Sequence, residues 1–223
     1  MIKNITTIGD SFTYGEELAD RYDAYAYKLA DLCSADVVNL GAPGTGNKSM
    51  IRRVIEICAG TSGEDQVPDL IVIGWSSPGR MEFADADDVY DIWPGQDGSR
   101  FKVGGQEWRT ELMNYINKHH DTKYIYQQYL QDIILTQSLL CQQNIRYVMT
   151  TTNSNEYYHK TWFNGMPKLA SLIDASNYLG WPTEGMAEWT QGCKRGPRGH
   201  FLEEGHKRVA AKLYQHIKNN GWL

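Results

Sequence analysis

Two patterns of hydrophobic residues, one typical of buried strands and one typical of helices, alternate along this chain. Short apolar runs that are typical of buried strands occur at residues 2–8, 37–40, 70–73 and 145–149. Apolar residues spaced i, i+3, i+4 and i+7 predict helices packed on a sheet, at residues 26–33, 51–58, 126–143 and 209–217. Strands that alternate with helices are expected to run parallel and to be joined by right-handed crossovers. The pattern therefore predicts a three-layer α/β domain with a central parallel sheet.

One segment, at about residues 80–120, breaks this alternation and is predicted to be an insert in a single domain spanning residues 1–223. Within it, apolar stretches at 89–93 and 101–103 flank the turn-forming residues 94–98, which predicts an exposed hairpin. Trp93 and Trp108 are expected on a lid or pocket wall, where aromatic side chains commonly hold an apolar or sugar substrate. The alternative is that both close a small satellite core.

The composition limits the kinds of partner. The chain has 223 residues, 41% of them hydrophobic and 22% charged, which is ordinary for a globular domain. Its net charge of −5, without a run of Lys and Arg, argues against a nucleic-acid or anionic-membrane surface. No apolar run approaches the about 20 residues that cross a bilayer, and the N-terminus lacks a signal-peptide pattern. We therefore expect a cytoplasmic protein, with virion association and oligomeric state left open.

Candidate chemistry follows the predicted strands. The first strand ends in Gly9-Asp10-Ser11, the second in a glycine-rich loop that begins at Gly41, and the third in residues 74–77. Because the carboxyl ends of parallel strands meet at one edge of a sheet, where α/β proteins bind ligands, Ser11 is a candidate nucleophile. A plain turn is the alternative interpretation, since Gly, Asp and Ser are common turn residues.

Two histidines near the last predicted helix are candidates for the base that a serine nucleophile requires. His200 precedes the helix, and His206 lies at its start with Glu203 three residues before it. We favour His200, because His206 is expected already inside the first helical turn. For either histidine, the non-catalytic alternative is a polar contact at the helix start.

These stretches, taken together, resemble the GDSL-like or SGNH hydrolases. The resemblance is carried by Gly9-Asp10-Ser11-Phe12, by Asn39-Leu40-Gly41-Ala42-Pro43-Gly44, and by His200 with the later Gly205-His206, in the family's order. It implies a flavodoxin-like fold, Ser11 as nucleophile, His200 as general base, and an oxyanion hole that includes the amides of Ser11 and Gly41. The implied reaction is hydrolysis of an ester or O-acyl group through an acyl-enzyme. Neither a cofactor nor a metal is implied, and the expected substrate is a small-molecule or carbohydrate ester.

The chain departs from the family's pattern at two positions. Ser76 stands where the family has an oxyanion-hole Asn, so the candidate third donor is Ser76 itself, Asn47 or Asn153. Pro197 stands where the family has an Asp, three residues before its His. Either a Ser-His dyad acts alone, or a carboxylate comes from elsewhere.

Several residues are candidates for supporting this site. The carboxylates considered for the missing Asp are Glu184 and Glu188, and Asp10 is a further supporting candidate. Arg80 and Glu82 are expected to form an ion pair that orients the loop after the third strand. The two departures also support a rival interpretation, a non-catalytic binding or virion-associated structural protein that retains the fold.

Overall fold

The computed structural model describes residues 2–61, 63, 67–84, 89–92, 107–119, 121–154 and 166–223. The strands are β1 (Asn4–Gly9), β2 (Asp36–Asn39), β3 (Leu70–Trp75), β4 (Met81–Ala84), β5 (Val89–Ile92) and β6 (Arg146–Thr151). The helices are α1 (Ser11–Tyr14), α2 (Tyr25–Cys33), α3 (Asn47–Cys58), α4 (Glu107–His119), α5 (Thr122–Gln142), α6 (Pro167–Ala170), α7 (Met186–Trp189) and α8 (Glu203–Asn219). The strands and longer helices predicted from the two patterns are therefore present, with ends shifted by a few residues.

A four-stranded parallel sheet lies at the centre, with strand order β2-β1-β3-β6. Ile5 of β1 is in register with Val37 on one side and with Leu70 on the other. The chain first adds β2 to one side of β1 and then crosses to the other side to form β3. This reversal of strand order makes the carboxyl end of β1 the topological switch point, where open α/β sheets bind ligands.

Helices cover both faces of the sheet. The side chains of α3 and α5 pack on one face around Val54, Leu130 and Ile133, which are fully buried. Those of α2 and α8 pack on the other face around Leu29 and Leu213. Every residue of β3 is buried, because this central strand has neighbours on both sides and helices on both faces. The three-layer α/β prediction is confirmed.

The insert contains a hairpin that is formed by β4 and β5. β5 pairs antiparallel with β4, so that Glu82 faces Asp91 across the hairpin. Ser49 Oγ of α3 lies 2.7 Å from a Glu82 carboxylate oxygen and 3.1 Å from an Asp91 carboxylate oxygen, and its single proton is donated to this pair of acids, which anchors the hairpin to that helix. The predicted partner strand 101–103 and Trp93 lie outside the described residues, as does the side chain of Trp108.

No helix within the described ranges has the length and apolar character needed to cross a membrane.

Candidate active site

Ser11 lies at the switch point of the sheet. β1 ends at Gly9, and Asp10 caps the short helix α1 by accepting a hydrogen bond from the Phe12 amide at 3.1 Å. Ser11 is the first residue of α1 and its side chain is almost buried, at 4% exposure. The capped turn thus holds the hydroxyl at the carboxyl edge of the sheet.

His200 reaches this hydroxyl from the other end of the chain. Its Nε2 lies 2.8 Å from Ser11 Oγ. Its Nδ1 lies 2.8 Å from a carboxylate oxygen of Glu17, a residue that the sequence analysis did not propose. The hydroxyl, the imidazole and the carboxylate therefore form one continuous chain of hydrogen-bonding contacts, as in a Ser-His-acid triad.

The Glu17 carboxylate is itself held by backbone donors. The amides of Arg198 and His200 donate to its two oxygens, at 2.8 Å and 3.1 Å. Gly196 passes so close that a Cβ added there would lie 2.6 Å from the carboxylate carbon. Partial desolvation opposes ionisation, but the hydrogen bonds from Arg198 and His200 outweigh it and lower the pKa of Glu17. The group facing His200 Nδ1 is thus an ionised acid at neutral pH.

The carboxylates proposed to support His200 are engaged elsewhere, so that prediction is wrong. Glu188 accepts a hydrogen bond from the Gly185 amide at 2.7 Å, which closes the first turn of α7. Glu184 accepts one from Trp189 Nε1 at 3.0 Å. Both side chains satisfy polar groups of their own helical segment, and Glu17 takes the position at Nδ1 instead.

His206 does not have the surroundings of a base. It is fully buried in the first turn of α8, where its Nδ1 accepts a hydrogen bond from the Tyr25 amide at 3.1 Å. Burial, followed by repulsion from His200, lowers the pKa of His206 to about 3. The geometry therefore favours His200 over the alternative pair of His206 and Glu203.

Two of the expected oxyanion-hole donors already have acceptors. Ser76 Oγ donates its single proton to Asp10 Oδ2 at 2.8 Å. The Gly41 amide donates to Asn39 Oδ1 at 3.0 Å. In this structure neither donor is free, so each would have to share or give up its present acceptor to stabilise a developing negative charge.

Asn47, the alternative third donor, fastens the loop that follows β3. Its side-chain oxygen accepts from the Ser76 amide at 2.9 Å, and its side-chain nitrogen donates to the carbonyl of Ser77 at 3.2 Å. The side chain is 3% exposed and spans two backbone groups. Its role in this geometry is to hold the loop.

The loop after β2 retains one amide that is not engaged. The Ala42 amide donates to the Gly9 carbonyl at 3.1 Å, and the Thr45 amide donates to the Ala42 carbonyl at 3.3 Å. The Gly46 amide donates to the Asp91 carboxylate. Gly44 has a left-handed φ of 84°, and its amide has no hydrogen-bond partner among the described residues. The Ser11 amide likewise has none within the part of the chain that the structure describes.

Asp10 lies beneath the nucleophile and is fully buried. It joins three strand ends by accepting from the hydroxyls of Ser76 and Thr152, at 2.8 Å and 2.9 Å, beside the amide of Phe12. Burial raises the pKa of Asp10, and the nearby Arg80 guanidinium and these hydrogen bonds oppose the rise. Asp10 thus supports the site by fixing its floor.

Among the described residues, Arg80 contacts Asp10 and Thr45, whereas the predicted ion pair joins it to Glu82. Its guanidinium lies 3.7 Å from Asp10 Oδ2 and donates to the Thr45 carbonyl at 3.0 Å. Glu82 pairs with Arg52 at 2.5 Å. Arg80 therefore connects the buried acid to the glycine-rich loop after β2.

The comparisons with known proteins agree with this geometry at the level of the fold. No protein-family model matches the sequence, and no curated protein matches it. Among solved structures, TesA has a TM-score of 0.58 at 12% identity, over 97% of this chain and 99% of its own. A lipolytic protein of the G-D-S-L family from Veillonella parvula has a TM-score of 0.51 at 14% identity, over 96% and 97% of the two chains.

A third solved structure is a carbohydrate esterase of family 2 from Corynascus thermopiles (Myceliophthora fergusii), which carries an additional carbohydrate-binding domain. Its TM-score is 0.56 at 15% identity, over 99% of this chain and 67% of that one. The likeness thus extends over nearly all of this chain in all three cases. This chain has the fold of the SGNH, or GDSL-like, hydrolases that its sequence motifs resemble.

Proposed function

We propose that this chain is a serine esterase that hydrolyses an ester or O-acyl group through an acyl-enzyme on Ser11. The observation that carries the proposal is the chain of contacts from Ser11 Oγ through His200 to Glu17, with 2.8 Å at each step. A hydroxyl paired with an imidazole, which is in turn oriented by a carboxylate, is the arrangement that activates a serine for attack on a carbonyl.

In the first half of the reaction, Ser11 Oγ attacks the ester carbonyl carbon and passes its proton to His200 Nε2. Glu17 keeps the other proton on Nδ1 and stabilises the imidazolium that forms. The tetrahedral intermediate then collapses, the carbon–oxygen bond to the alcohol breaks, and His200 returns the proton to the leaving oxygen. The acyl group remains on Ser11.

In the second half, a water molecule attacks the acyl-enzyme with His200 again accepting the proton. Collapse of the second intermediate releases the carboxylic acid and restores the Ser11 hydroxyl. The two amides without partners, those of Ser11 and Gly44, are the donors that we assign to the oxyanion in both intermediates. This assignment replaces the expected Gly41 and Ser76.

An O-acyl group on a carbohydrate is a second candidate substrate for the same chemistry. It is supported by the likeness to the family 2 carbohydrate esterase, at a TM-score of 0.56. Acetylated oligosaccharides and simple alkyl or aryl esters, assayed side by side, distinguish the two classes of substrate.

The test is labelling with a fluorophosphonate probe, together with hydrolysis of p-nitrophenyl acetate. The wild-type protein should be labelled on Ser11, whereas Ser11→Ala should lose labelling and about 10⁶-fold in kcat. Because only one hydroxyl is lost, the free energy of unfolding should change by about 1 kcal/mol. Ser138→Ala, at an exposed position on α5, is the matched control and should behave as wild type.

Failure of the wild-type protein both to react with the probe and to hydrolyse any ester would overturn the proposal. That result would favour the non-catalytic binding or structural protein that retains this fold.

A further inference from the structure

A cavity of about 490 Å³ lies close to the residues that support Ser11. Its walls come from the first turn of α3, from the start of β4 and the residues before it, from the end of α4 and from the first half of α5. Its volume lies within the range of about 300–1,000 Å³ that is usual for small-molecule sites. The insert therefore supplies two walls of a space large enough for part of a substrate.

Two residues connect this cavity to the nucleophile. Arg80 lines the cavity, and its guanidinium lies 3.7 Å from the carboxylate of Asp10, the residue before Ser11. Asn47 also lines the cavity, and its side-chain oxygen accepts a hydrogen bond from the Ser76 amide. The Ser76 hydroxyl in turn donates to the Asp10 carboxylate. The inner end of the cavity thus lies against the floor of the active site.

Most charged groups in the cavity wall already have partners within the protein. Lys48 pairs with Asp132 at 2.5 Å, and Glu82 pairs with Arg52, also at 2.5 Å. The Asp121 carboxylate caps α5 by accepting from the Lys123 amide at 2.9 Å. A polar ligand would have to displace these interactions or leave its own groups without partners, which is unfavourable.

The surface that remains for a ligand is apolar. It is formed by Met81, Ile116 and Ile125, and by the rings of Tyr115 and Tyr124 at the mouth. These two rings are 65% and 59% exposed, although large aromatic side chains usually bury most of their area. An apolar guest would cover them without needing a hydrogen bond.

The apolar surface continues beyond this cavity. An adjoining cavity of about 420 Å³ shares Lys48, Gln128 and Asp132 with the first. Its outer wall carries Leu135 and Leu172, which are 67% and 58% exposed. A chain-like guest therefore has room to extend past the Lys48–Asp132 ion pair.

We propose that this cavity binds an apolar chain of the ester, of medium length, and so makes the enzyme prefer such esters over acetates. The inference rests on the proposed function for its link to hydrolysis. The chain can belong either to the acyl group or to the alcohol. Both have the same chemistry, and the substrates below separate them.

The kinetic test compares Ile116→Trp, which fills the cavity, with Ile55→Trp. Ile55 is a half-exposed isoleucine on α3 that does not line the cavity. p-Nitrophenyl acetate and octanoate vary the acyl group, and ethyl and octyl acetate vary the alcohol. Ile116→Trp should lower the ratio of kcat/KM for one long-chain ester to kcat/KM for the matching short ester by about tenfold or more. Ile55→Trp should leave this ratio as in the wild type. The long-chain ester that is affected identifies which part of the ester binds there.

A binding test separates this inference from the proposed function. Isothermal titration calorimetry with octanol and with octanoate is carried out on the Ser11→Ala protein, with and without Ile116→Trp. One of the two ligands should bind, and Ile116→Trp should weaken it about tenfold. If Ile116→Trp fails to fold by circular dichroism, Ile116→Gln replaces it, since glutamine suits a helix and makes the wall polar.

The outcomes are distinct. Binding without any hydrolysis by the wild-type protein would refute the proposed esterase and leave the cavity assignment standing. Hydrolysis of acetates without binding of either ligand, or without any preference for a long chain, would overturn the cavity assignment.

Discussion

Two histidines six residues apart show how differently one side chain is used in this molecule. His200 lies in the turn before α8 and His206 in its first turn, with exposures of 9% and 0%. Each packs against a phenylalanine ring, His200 against Phe12 at 4.7 Å and His206 against Phe201 at 4.5 Å between centroids. By burial and by aromatic contact the two sites are nearly alike.

The two histidines differ in the groups that their ring nitrogens contact. His200 lies between a hydroxyl and a carboxylate, so an imidazolium formed there has a negative partner. His206 accepts a hydrogen bond from an amide at Nδ1, and its buried Nε2 has no hydrogen-bond partner among the residues that the structure describes. A proton gained there would be a buried charge with no compensating acceptor, which explains the pKa of about 3. The partners of the ring, more than its burial, separate a base from a structural histidine.

The largest effect should come from removing the feature that distinguishes His200, the carboxylate at Nδ1. We expect Glu17→Gln to lower kcat by about 10⁴-fold, because the amide no longer holds the required tautomer or stabilises the imidazolium. Glu16→Gln is the matched control, since Glu16 pairs with Arg198 and its carboxylate lies 3.7 Å from His200 Nε2. Steady-state kinetics on one ester measure both variants, and a larger loss in the Glu16 variant would contradict the assignment of Glu17.

A smaller effect, on stability, should come from His206. Its pKa is 6.5 in the unfolded chain and about 3 in the folded one, so between these values the unfolded state holds the extra proton. The free energy of unfolding should therefore fall as pH is lowered from 6.5 towards 3, by about 1.4 kcal/mol per pH unit from this group. We expect His206→Gln, which keeps an acceptor but does not titrate, to lack this part of the dependence.

Urea denaturation at several pH values measures the difference, with Ser138→Ala, at an exposed position without a titratable group, as a control whose slope should match the wild type. Activity at neutral pH should survive in His206→Gln. A loss of activity comparable to that of Glu17→Gln would mean that the two histidines are not divided in this way.

The smallest effect should come from restoring the acid where the family has it. Pro197 lies in an exposed turn, and His200 Nδ1 already contacts Glu17. We therefore expect Pro197→Asp to change kcat by about twofold or less, as exposed substitutions generally do. A substantial rise in rate, in the same steady-state assay, would show that Glu17 orients His200 poorly.

The fold could be predicted from the sequence because its signals are local. The strand run 70–73 and the helical stripe of 209–217 each report burial through spacing alone. The order of elements then leaves few topologies. Ser11 and His200 could be proposed for the same reason, since each stands beside a predicted element at an edge where ligands bind.

Glu17 was missed because nothing local marks it as a partner of His200. Glu16 and Glu17 together resemble a solvated acidic turn, and the contact with His200 spans 183 residues of chain. Two consecutive acids immediately after the nucleophile stretch were the only available signal. The unusual left-handed φ of 71° at Glu17 becomes visible only in the structure.

The present acceptors of the expected oxyanion donors could not be predicted for a related reason. A sequence shows that Gly41 has an amide and Ser76 a hydroxyl, but not which acceptors have already taken them. Here Asn39 and Asp10 are those acceptors. Whether a donor is available is a property of tertiary packing, so no spacing rule could have revealed it.

The proposed nucleophile and acid, Ser11 and Glu17, belong to one short stretch of chain, whereas the proposed base, His200, lies 183 residues further along the sequence than Glu17. A contact of such high sequence separation carries a loop-closure cost and forms slowly relative to local ones. If the proposed function holds, the turn with Ser11 and Glu17 can form early in folding, and activity is expected only once α8 docks against α2 and brings His200 to Ser11. Recovery of activity on refolding would then report the arrival of the C-terminal segment, even when the sheet has already formed.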